Sequence, residues 1–229
     1  MRQLLSDPVD PIDPVVVYGD QPEARGRPAV RVNMIASVDG ATTVAGLSGG
    51  LGGPADTRVF SVLRSRADAV LVAAGTARAE AYGPAPLLIA VVSRSCVLDW
   101  QAPFFTAASV RPIVVTVADA PADNRDRAAE VADVVIAGEH SVDMRRALDA
   151  LGERAVGSVL VEGGPSLNGQ LAAAGLVDEL CLSLAPALVG GDSKRILSGP
   201  ALDVPARFEL RSVCEEDGYL FLRYRSSTS

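Results

Sequence analysis

The segment Val159–Gly164 constrains the fold more than any other part of this 229-residue chain. Three apolar residues lead into Glu162, and two glycines then precede Pro165. This order predicts a buried strand, a tight turn and a helix that begins at the proline, a residue favoured in the first helical turn. The N–H groups and the dipole at a helix start attract anions, and glycine lets a phosphate approach the backbone closely. The alternative interpretation is an ordinary strand-to-helix turn without a ligand.

The rest of the chain alternates between strand and helix patterns. Strands are predicted at 29–36, 68–75, 87–92, 112–117, 131–137, 159–161, 178–184, 208–213 and 219–224, and helices at 54–67, 123–130, 142–150 and 165–175. This order predicts one α/β domain over residues 29–229, with a mostly parallel central sheet flanked by helices and a C-terminal antiparallel hairpin. Residues 1–28 are rich in Pro and Asp, so we expect an extended arm that wraps either the domain or a partner subunit.

Composition excludes several classes of protein. No apolar run reaches the roughly 18 residues of a membrane-spanning helix, and the N-terminus lacks a signal-peptide core. A net charge of −7 without a basic cluster argues against nucleic-acid binding. Three cysteines without C-x-x-C spacing predict a reducing cytoplasm and neither a zinc site nor disulfides. The single histidine, His140, lies in a polar segment that predicts a solvated loop. An enzyme without metal or histidine chemistry is expected to use an organic cofactor.

The glycine-rich segment 41–53 has two open interpretations. Its end, Gly50-Leu51-Gly52-Gly53-Pro54-Ala55, matches the loose dinucleotide pattern G-x-G-x-x-A. No predicted strand ends directly before the first glycine of this pattern, and no acidic residue follows at the expected distance. An ordinary Rossmann site is therefore disfavoured. The segment is either a mobile lid over a cofactor or a disordered surface loop.

Three predicted strand ends carry small or polar residues, at 36–40, 74–76 and 162–164. In a parallel sheet these ends open on the same edge, where α/β proteins bind their ligands. A hydroxyl, a carboxylate and a phosphate-type turn therefore meet in one predicted crevice.

Together these motifs resemble the reductase domain of riboflavin biosynthesis. The resemblance covers roughly residues 29–225 and is carried by the motifs Ala36-Ser37-Val38-Asp39-Gly40, Val62-Leu63-Arg64, Asp68-Ala69-Val70-Leu71-Val72 with Gly75-Thr76, Val161-Glu162-Gly163-Gly164, Gly175-Leu176-Val177-Asp178-Glu179-Leu180 and Ala185-Pro186. It implies a dihydrofolate-reductase-like fold, usually dimeric, that reduces 5-amino-6-(5-phosphoribosylamino)uracil with NADPH. The Pro-Cys-x-x-Cys motif of the zinc deaminase often fused to such reductases is absent from this sequence.

The resemblance also implies particular ligand contacts. Predicted NADPH contacts are Ala36, Gly75, Thr76, Gly163, Gly164, Pro165, Ser166 and Leu167, continuing to Gln170, with the pyrophosphate on the last group. Thr116, at another strand end, is the candidate for the 2′-phosphate. Ser48, Arg64 and Glu162 are predicted substrate contacts. Glu162 is expected to bind the N–H edge of a heterocycle, and Glu80 or Asp39 to place a proton or water. Ser48, Arg64 and Glu80 also fit a purely solvated role.

Departures from the family pattern affect mainly the substrate. Ala41 stands where the family usually has Lys or Arg, Ala85-Pro86-Leu87-Leu88 stands in place of Leu-Thr-x-Arg, and Glu80 replaces Asp. A phosphate monoester prefers Arg or Lys partners, so these changes weaken the case for a phosphoribosyl substrate more than the case for NADPH.

The predicted function is an NADPH-dependent reductase of a pyrimidine or pteridine compound, similar to the phosphoribosylaminouracil reductases. The alternatives are a dihydrofolate or pterin reductase on the same scaffold and a non-catalytic NADP-binding protein. We expect a cytoplasmic homodimer with a small heterocyclic substrate and no nucleic-acid or membrane partner.

Overall fold

The computed structural model describes residues 1–227, so residues 228 and 229 of the predicted domain lie outside the described part. Its strands are β1 Arg2–Leu5, β2 Ala29–Ser37, β3 Ala69–Ala73, β4 Leu88–Val92, β5 Ile113–Thr116, β6 Asp133–Ile136, β7 Ser158–Val161, β8 Glu179–Ala185, β9 Phe208–Glu216 and β10 Tyr219–Ser226. Its α-helices are α1 Pro14–Val17, α2 Pro54–Ser65, α3 Ala74–Ala79, α4 Pro103–Thr106, α5 Ala122–Val131, α6 Met144–Gly152 and α7 Pro165–Ala173.

All ten strands form one sheet in the order β1-β9-β10-β8-β2-β7-β3-β4-β5-β6. The seven strands from β8 to β6 are parallel, whereas β10, β9 and β1 pair antiparallel. Asp217 and Gly218 both have positive φ angles, 53° and 82°, as the tight turn of a β9–β10 hairpin requires. The predicted fold class is therefore confirmed, with a mostly parallel sheet, flanking helices and a C-terminal hairpin.

The core lies on both faces of the parallel strands. Val70, Leu71 and Val114 are fully buried because their strands are covered by helices on each side. The helix α2 contributes Ala55, Val59 and Leu63 to this core. The helix α6 contributes Met144, Ala147, Leu148 and Leu151, and α7 contributes Leu167 and Leu171.

The structure corrects the prediction for the N-terminal arm. The strand β1 pairs with β9 at the sheet edge, and Pro14–Val17 form a short helix within the segment expected to be an extended arm. The Asp13 side chain accepts a hydrogen bond from the Val15 N–H at 2.8 Å and so caps the helix that Pro14 begins. Asp followed by Pro is a helix-start signal as well as a turn signal, which explains the error. The arm wraps its own domain.

A buried cluster of charges ties this arm to the sheet. The side chain of Glu179 is fully buried in β8 and binds Arg31 at 2.5 Å, Arg223 at 2.8 Å and Arg225 at 3.0 Å. Asp20, in the arm, binds Arg223 at 2.6 Å and Arg225 at 2.8 Å. Burial opposes ionisation of Asp20, but hydrogen bonds from Arg223 and Arg225 outweigh it and lower its pKa to about 2. The cluster joins the arm, β2, β8 and β10.

The carboxyl ends of the parallel strands meet at one edge, as predicted. The Ala73 N–H, at the end of β3, donates to the Gly163 carbonyl at 2.8 Å, and the Glu162 N–H donates to the Leu71 carbonyl at 3.1 Å. These bonds extend the β3–β7 pairing into the turn. Two of the three strand ends expected to converge are thus directly hydrogen-bonded.

Candidate functional site

A crevice of about 920 Å³ opens at this edge of the sheet. The elements that form it are β2, α2, α3, the turn after β7, and two loops around residues 42–49 and 194–198. Nine predicted site residues line it, namely Ser48, Arg64, Gly75, Thr76, Glu80, Glu162, Gly164, Pro165 and Ser166. The crevice that the sequence predicts therefore exists, and it combines the predicted cofactor turn with the predicted substrate residues.

Glu162 and Arg64 form a bidentate ion pair in this crevice. The Arg64 Nε and Nη2 atoms donate to Glu162 Oε1 and Oε2, both at 2.7 Å, and the Tyr82 hydroxyl also donates to Oε2. The Arg64 guanidinium lies 4.4 Å from the centroid of the Phe60 ring. Burial lowers the pKa of Arg64, but the Glu162 carboxylate outweighs it and leaves that pKa raised. Burial and the same carboxylate raise the pKa of Tyr82, which therefore stays a hydrogen-bond donor.

These contacts change the role expected for Glu162. Its carboxylate was predicted to bind the N–H edge of a heterocycle, but both of its oxygens accept hydrogen bonds from the protein. Its side chain is 4% exposed, against 27% for Arg64. The carboxylate thus fixes the guanidinium, and the more exposed arginine faces the ligand space.

Glu80 connects the glycine-rich loop to α3. Its Oε1 atom accepts a hydrogen bond from the Ser48 N–H at 2.8 Å, and both residues line the crevice. Val44 and Leu47 exchange main-chain hydrogen bonds, and the Tyr219 hydroxyl donates to the Leu51 carbonyl at 2.9 Å. The loop is therefore an ordered wall of the crevice, which removes the interpretation as a disordered surface loop.

The turn between β7 and α7 is packed too tightly for side chains. Gly163 has a φ angle of +80°, and a Cβ atom on Gly164 would lie 2.7 Å from the Thr76 Oγ1 atom. The Gly163–Gly164 peptide bond is cis. The helix α7 begins at Pro165 as predicted, and Gly175, with a φ angle of +64°, follows its end. Gly164, Pro165 and Ser166 line the crevice beside Thr76.

A second, smaller pocket of about 440 Å³ adjoins the crevice and shares Ala73 and Gly75 with it. Its lining includes Ser93, Arg94 and Ser95, which directly follow β4, together with Arg78 of α3. The sequence analysis missed both arginines. Arg94 was detectable, because it ends a predicted strand on the same sheet edge as the other candidates.

Two predicted site residues, Asp39 and Thr116, make their contacts with other parts of the protein, outside the crevice. Asp39 accepts hydrogen bonds from the Val189 and Gly190 N–H groups, at 3.2 and 2.7 Å, and from the Ser37 hydroxyl. The bond from Ser37, followed by those from Gly190 and Val189, lowers the pKa of Asp39. This exposed carboxylate anchors a loop and does not line the crevice, so the geometry gives its predicted catalytic role no support. Thr116 is fully buried and its hydroxyl faces the Arg94 carbonyl at 3.4 Å, so it offers a 2′-phosphate no contact.

Three further predicted cofactor residues lie behind the crevice surface. Ala36 is 4% exposed and Leu167 is 1% exposed, with Leu167 in the core cluster. Gly163 is buried in the turn, and its carbonyl accepts the Ala73 N–H. None of these three residues lines the crevice itself.

A loop that the sequence analysis did not consider completes the site. The Asn168 Nδ2 atom donates to the Ile196 carbonyl at 2.7 Å, and the Ser198 N–H donates to the Pro165 carbonyl at 3.0 Å. These bonds attach the loop to the start of α7 and bring Lys194 and Ser198 to the crevice. Because the loop is irregular and distant in sequence, no local pattern indicates it.

Asp56, in the first turn of α2, also lines the crevice and was missed. Burial raises its pKa, and a hydrogen bond with the Ser183 side chain opposes that shift. A carboxyl group that lines a cleft and has its pKa raised by burial is a candidate for a functional site.

Other candidate chemistry lies away from the crevice. His140 is exposed, as predicted, and binds Asp119, whose hydrogen bond raises the pKa of the imidazole. Cys96, Cys181 and Cys214 are buried free thiols. Across residues 1–227, no group of three or more His, Cys, Asp or Glu side chains is arranged to hold a metal ion. No helix in that part of the chain combines the length and apolar character needed to cross a membrane.

The chain is similar to known proteins in sequence and in fold. A family model described as the RibD C-terminal domain matches residues 28–220. A 2,5-diamino-6-ribosylamino-4(3H)-pyrimidinone 5′-phosphate reductase of Methanothermobacter thermautotrophicus is 30% identical over 202 residues, which cover 81% of this chain and 92% of that protein.

Two solved structures place the fold. A pyrimidine reductase-like protein of Corynebacterium diphtheriae superposes with a TM-score of 0.79 at 25% identity, covering 96% of each chain. Dihydrofolate reductase of Enterococcus faecalis superposes with a TM-score of 0.55 at 14% identity, covering 87% of this chain and 97% of that one. The predicted dihydrofolate-reductase-like fold is thereby confirmed.

Proposed function

The chain belongs to the RibD C-terminal domain family, and from that premise we propose that it is an NADPH-dependent reductase of a ribosylaminopyrimidine in riboflavin biosynthesis. The observation that carries the proposal is the crevice in which the Gly164–Ser166 turn and the Arg64–Glu162 pair face the same space. One half suits a dinucleotide and the other half a polar heterocycle. Similarity to a pyrimidinone phosphate reductase over most of both chains supports the substrate class.

The chain's residues fit a nicotinamide dinucleotide. Gly164, Pro165 and Ser166 line the crevice at the start of α7, where the N–H groups and the helix dipole favour a diphosphate. Arg94 and Arg78, in the adjoining pocket, supply the cations that a 2′-phosphate requires, which favours NADPH over NADH. When bound, NADPH supplies the hydride.

The substrate half of the crevice supplies position and charge. Arg64, held by Glu162 and stacked on Phe60, presents a fixed cation, and Lys194 lines the same space. These two cations compensate for the basic residues that the family usually carries near Ala41 and Leu88, so they are the proposed partners of the substrate phosphate. Glu80, fixed by the Ser48 N–H, is the proposed group that positions the proton needed beside the hydride.

A second candidate function is reduction of a dihydropterin on the same scaffold. The loss of the family's basic residues at Ala41 and in 85–88 favours this candidate, because a pterin carries no phosphate. Under either candidate, we infer a cytoplasmic homodimer, on the strength of the family resemblance and the three free thiols.

NADPH oxidation, followed by its near-ultraviolet absorbance, tests the proposal. The purified protein is given 2,5-diamino-6-ribosylamino-4(3H)-pyrimidinone 5′-phosphate, 5-amino-6-(5-phosphoribosylamino)uracil or dihydrofolate. Turnover of either pyrimidine supports the proposal, and turnover of dihydrofolate alone supports the second candidate. Saturable NADPH binding without oxidation by any of the three identifies a non-catalytic NADP-binding protein and overturns both.

A further inference from the structure

Asp56 differs from the other two acidic residues of the crevice. Glu162 binds Arg64 through both oxygens, and Glu80 accepts the Ser48 N–H. The Ser183 side chain is instead the polar neighbour of Asp56, where it opposes the rise that burial gives the pKa of this carboxyl. One hydroxyl uses only part of the acceptor capacity of a carboxylate, which has about four lone-pair sites. The crevice therefore contains a carboxyl with acceptor capacity beyond its protein partner.

Asp56 lies at one end of a row of side chains along the substrate half of the crevice. Asp56 lines the crevice together with Met34 and Ile35 of β2, and Ser183 of β8 lies opposite Ile35. Phe60 and Arg64 follow Asp56 at intervals of four residues and share its face of α2. One wall thus presents a carboxyl, an aromatic ring and a guanidinium in sequence. That order matches a flat heterocycle with hydrogen-bond donors at one end and an anionic substituent at the other.

Carboxylates distinguish between the two pyrimidines that such reductases use. A 2-amino-4-oxo ring presents two adjacent donors, the ring N–H and the exocyclic amino group, and a carboxylate accepts both as a bidentate pair. A uracil ring presents one N–H between two carbonyls, so one carboxylate oxygen would face a carbonyl oxygen. Placing two acceptors together in a desolvated site strongly disfavours the wrong ligand.

We propose that Asp56 determines substrate choice, binding the amino and N–H donors of a 2-amino-4-oxo ring and rejecting the uracil analogue. This inference rests on the proposed function and narrows it to one substrate class. A 2,5-diaminopyrimidinone and a pterin share this donor edge, so the residue selects the edge, and the groups around Arg64 and Lys194 select what is attached to it. A bound pair of donors would stabilise the ionised carboxyl and so oppose the rise that burial gives the pKa of Asp56.

The test measures kcat/KM for the diaminopyrimidinone phosphate, the aminouracil phosphate and dihydrofolate, with the wild type and with Asp56→Asn. The amide is nearly isosteric but offers a donor beside a single acceptor, which suits uracil better than it suits the diamino edge. Asp126→Asn, an exposed change on α5, is the matched control. NADPH affinity is measured separately by titration for all three proteins.

We expect the wild type to favour a 2-amino-4-oxo substrate over the uracil, and Asp56→Asn to lower its kcat/KM on the order of 10- to 100-fold, the range for losing a charge-assisted hydrogen bond. The same variant should keep or gain activity with the uracil and should bind NADPH normally. The control variant, Asp126→Asn, should behave like the wild type in every measurement. Preference for the diaminopyrimidinone or for dihydrofolate identifies which molecule carries the edge. Equal use of both pyrimidines, or equal losses on both in Asp56→Asn, overturns the inference and leaves the proposed function standing. NADPH binding without turnover of any substrate overturns the proposed function itself.

Discussion

Glu162, directly after β7, binds the Arg64 guanidinium of α2 through two parallel hydrogen bonds of 2.7 Å. The carboxylate comes from the turn that borders the proposed cofactor site, and the arginine comes from the helix that borders the proposed substrate site. The ion pair therefore links the two halves of the crevice. The carboxylate is the more buried partner, and Arg64 is the more exposed one. Removal of the carboxylate would therefore leave the Arg64 guanidinium in the crevice without the group that orients it.

Replacing Glu162 tests this positioning role. In Glu162→Gln an amide nitrogen faces the Arg64 guanidinium, so we expect kcat/KM to fall on the order of 10- to 100-fold, mostly through substrate KM. NADPH affinity should stay within about twofold. Steady-state kinetics with a separate NADPH titration measures both, and the exposed Glu153→Gln serves as control. Unchanged kinetics in Glu162→Gln would remove the ion pair from the mechanism.

Adding a methyl group at Gly164 tests the cofactor turn. The new Cβ atom would lie 2.7 Å from Thr76 Oγ1, so either the turn or Thr76 must move. We expect Gly164→Ala to raise the KM for NADPH at least about tenfold, since small displacements near bound groups are costly. In Gly157→Ala, outside the crevice, the added carbon meets only the Asp68 Oδ2 atom at an ordinary contact distance of 3.4 Å, so the KM for NADPH should not change. Equal cofactor KM values in the two variants would argue against binding at this turn.

The smaller pocket should set the preference between the two nicotinamide cofactors. Arg94→Ala removes a cation from the proposed 2′-phosphate site, so we expect a 10- to 100-fold rise in the KM for NADPH, the effect typical of a lost charge-assisted bond. NADH lacks that phosphate, and its KM should not change. Arg127→Ala, at an exposed position of α5, is the control. A parallel loss with NADH would place the phosphate elsewhere.

The buried cluster of charges around Glu179 should contribute strongly to the unfolding free energy, because it holds the N-terminal arm on the sheet. Glu179→Ala leaves Arg31 buried without its carboxylate and Arg223 with Asp20 alone, and breaking such a buried pair typically costs about 3–5 kcal/mol of unfolding free energy. Urea denaturation measures this loss. Glu209→Ala, whose 3.7 Å pair with Arg211 is exposed, should change stability by no more than about 0.5 kcal/mol. Similar effects of the two variants would show that the cluster contributes no more than a surface pair.

Asp56 should make stability depend on pH in the opposite sense to a salt-bridged acid. Burial raises its pKa in the folded state, whereas the unfolded chain has the ordinary value near about 4. Between these values the folded protein binds more protons than the unfolded chain, so the unfolding free energy falls as the pH rises. Asp56→Asn cannot ionise and escapes this loss.

Thermal unfolding across pH measures the difference between Asp56→Asn and the wild type. The variant should be the more stable of the two above this pH window, and the difference should shrink below about pH 4, where both states of the wild type are protonated. A variant that is less stable at neutral pH would contradict the raised pKa.

Local patterns in the sequence predicted much of the fold and part of the site. The apolar run before Glu162 and the glycines after it specify a buried strand and a close turn, because few other residues satisfy that packing. The converging strand ends followed from parallel topology alone. Asp39 and Thr116, which were predicted at the site, do not line the crevice, since a position near a strand end does not determine where a side chain finds its hydrogen-bond partners.

The missed residues depend on tertiary packing. Lys194 reaches the crevice through a loop held by Asn168, and no periodic pattern marks such a loop. Asp56 could have been identified from the sequence. It is followed by Phe60 and Arg64 at intervals of four residues, which places all three on one face of a predicted helix. An acid, an aromatic and a base aligned in this way indicate a ligand-facing stripe on the helix.

A crystal structure of the protein with NADPH tests the central claim most directly. The account predicts the diphosphate within hydrogen-bond distance of the main chain at Gly164–Ser166, and the 2′-phosphate beside Arg94. A nucleotide bound outside this crevice, or a turn closed by the protein's own side chains when NADPH is saturating, would contradict it.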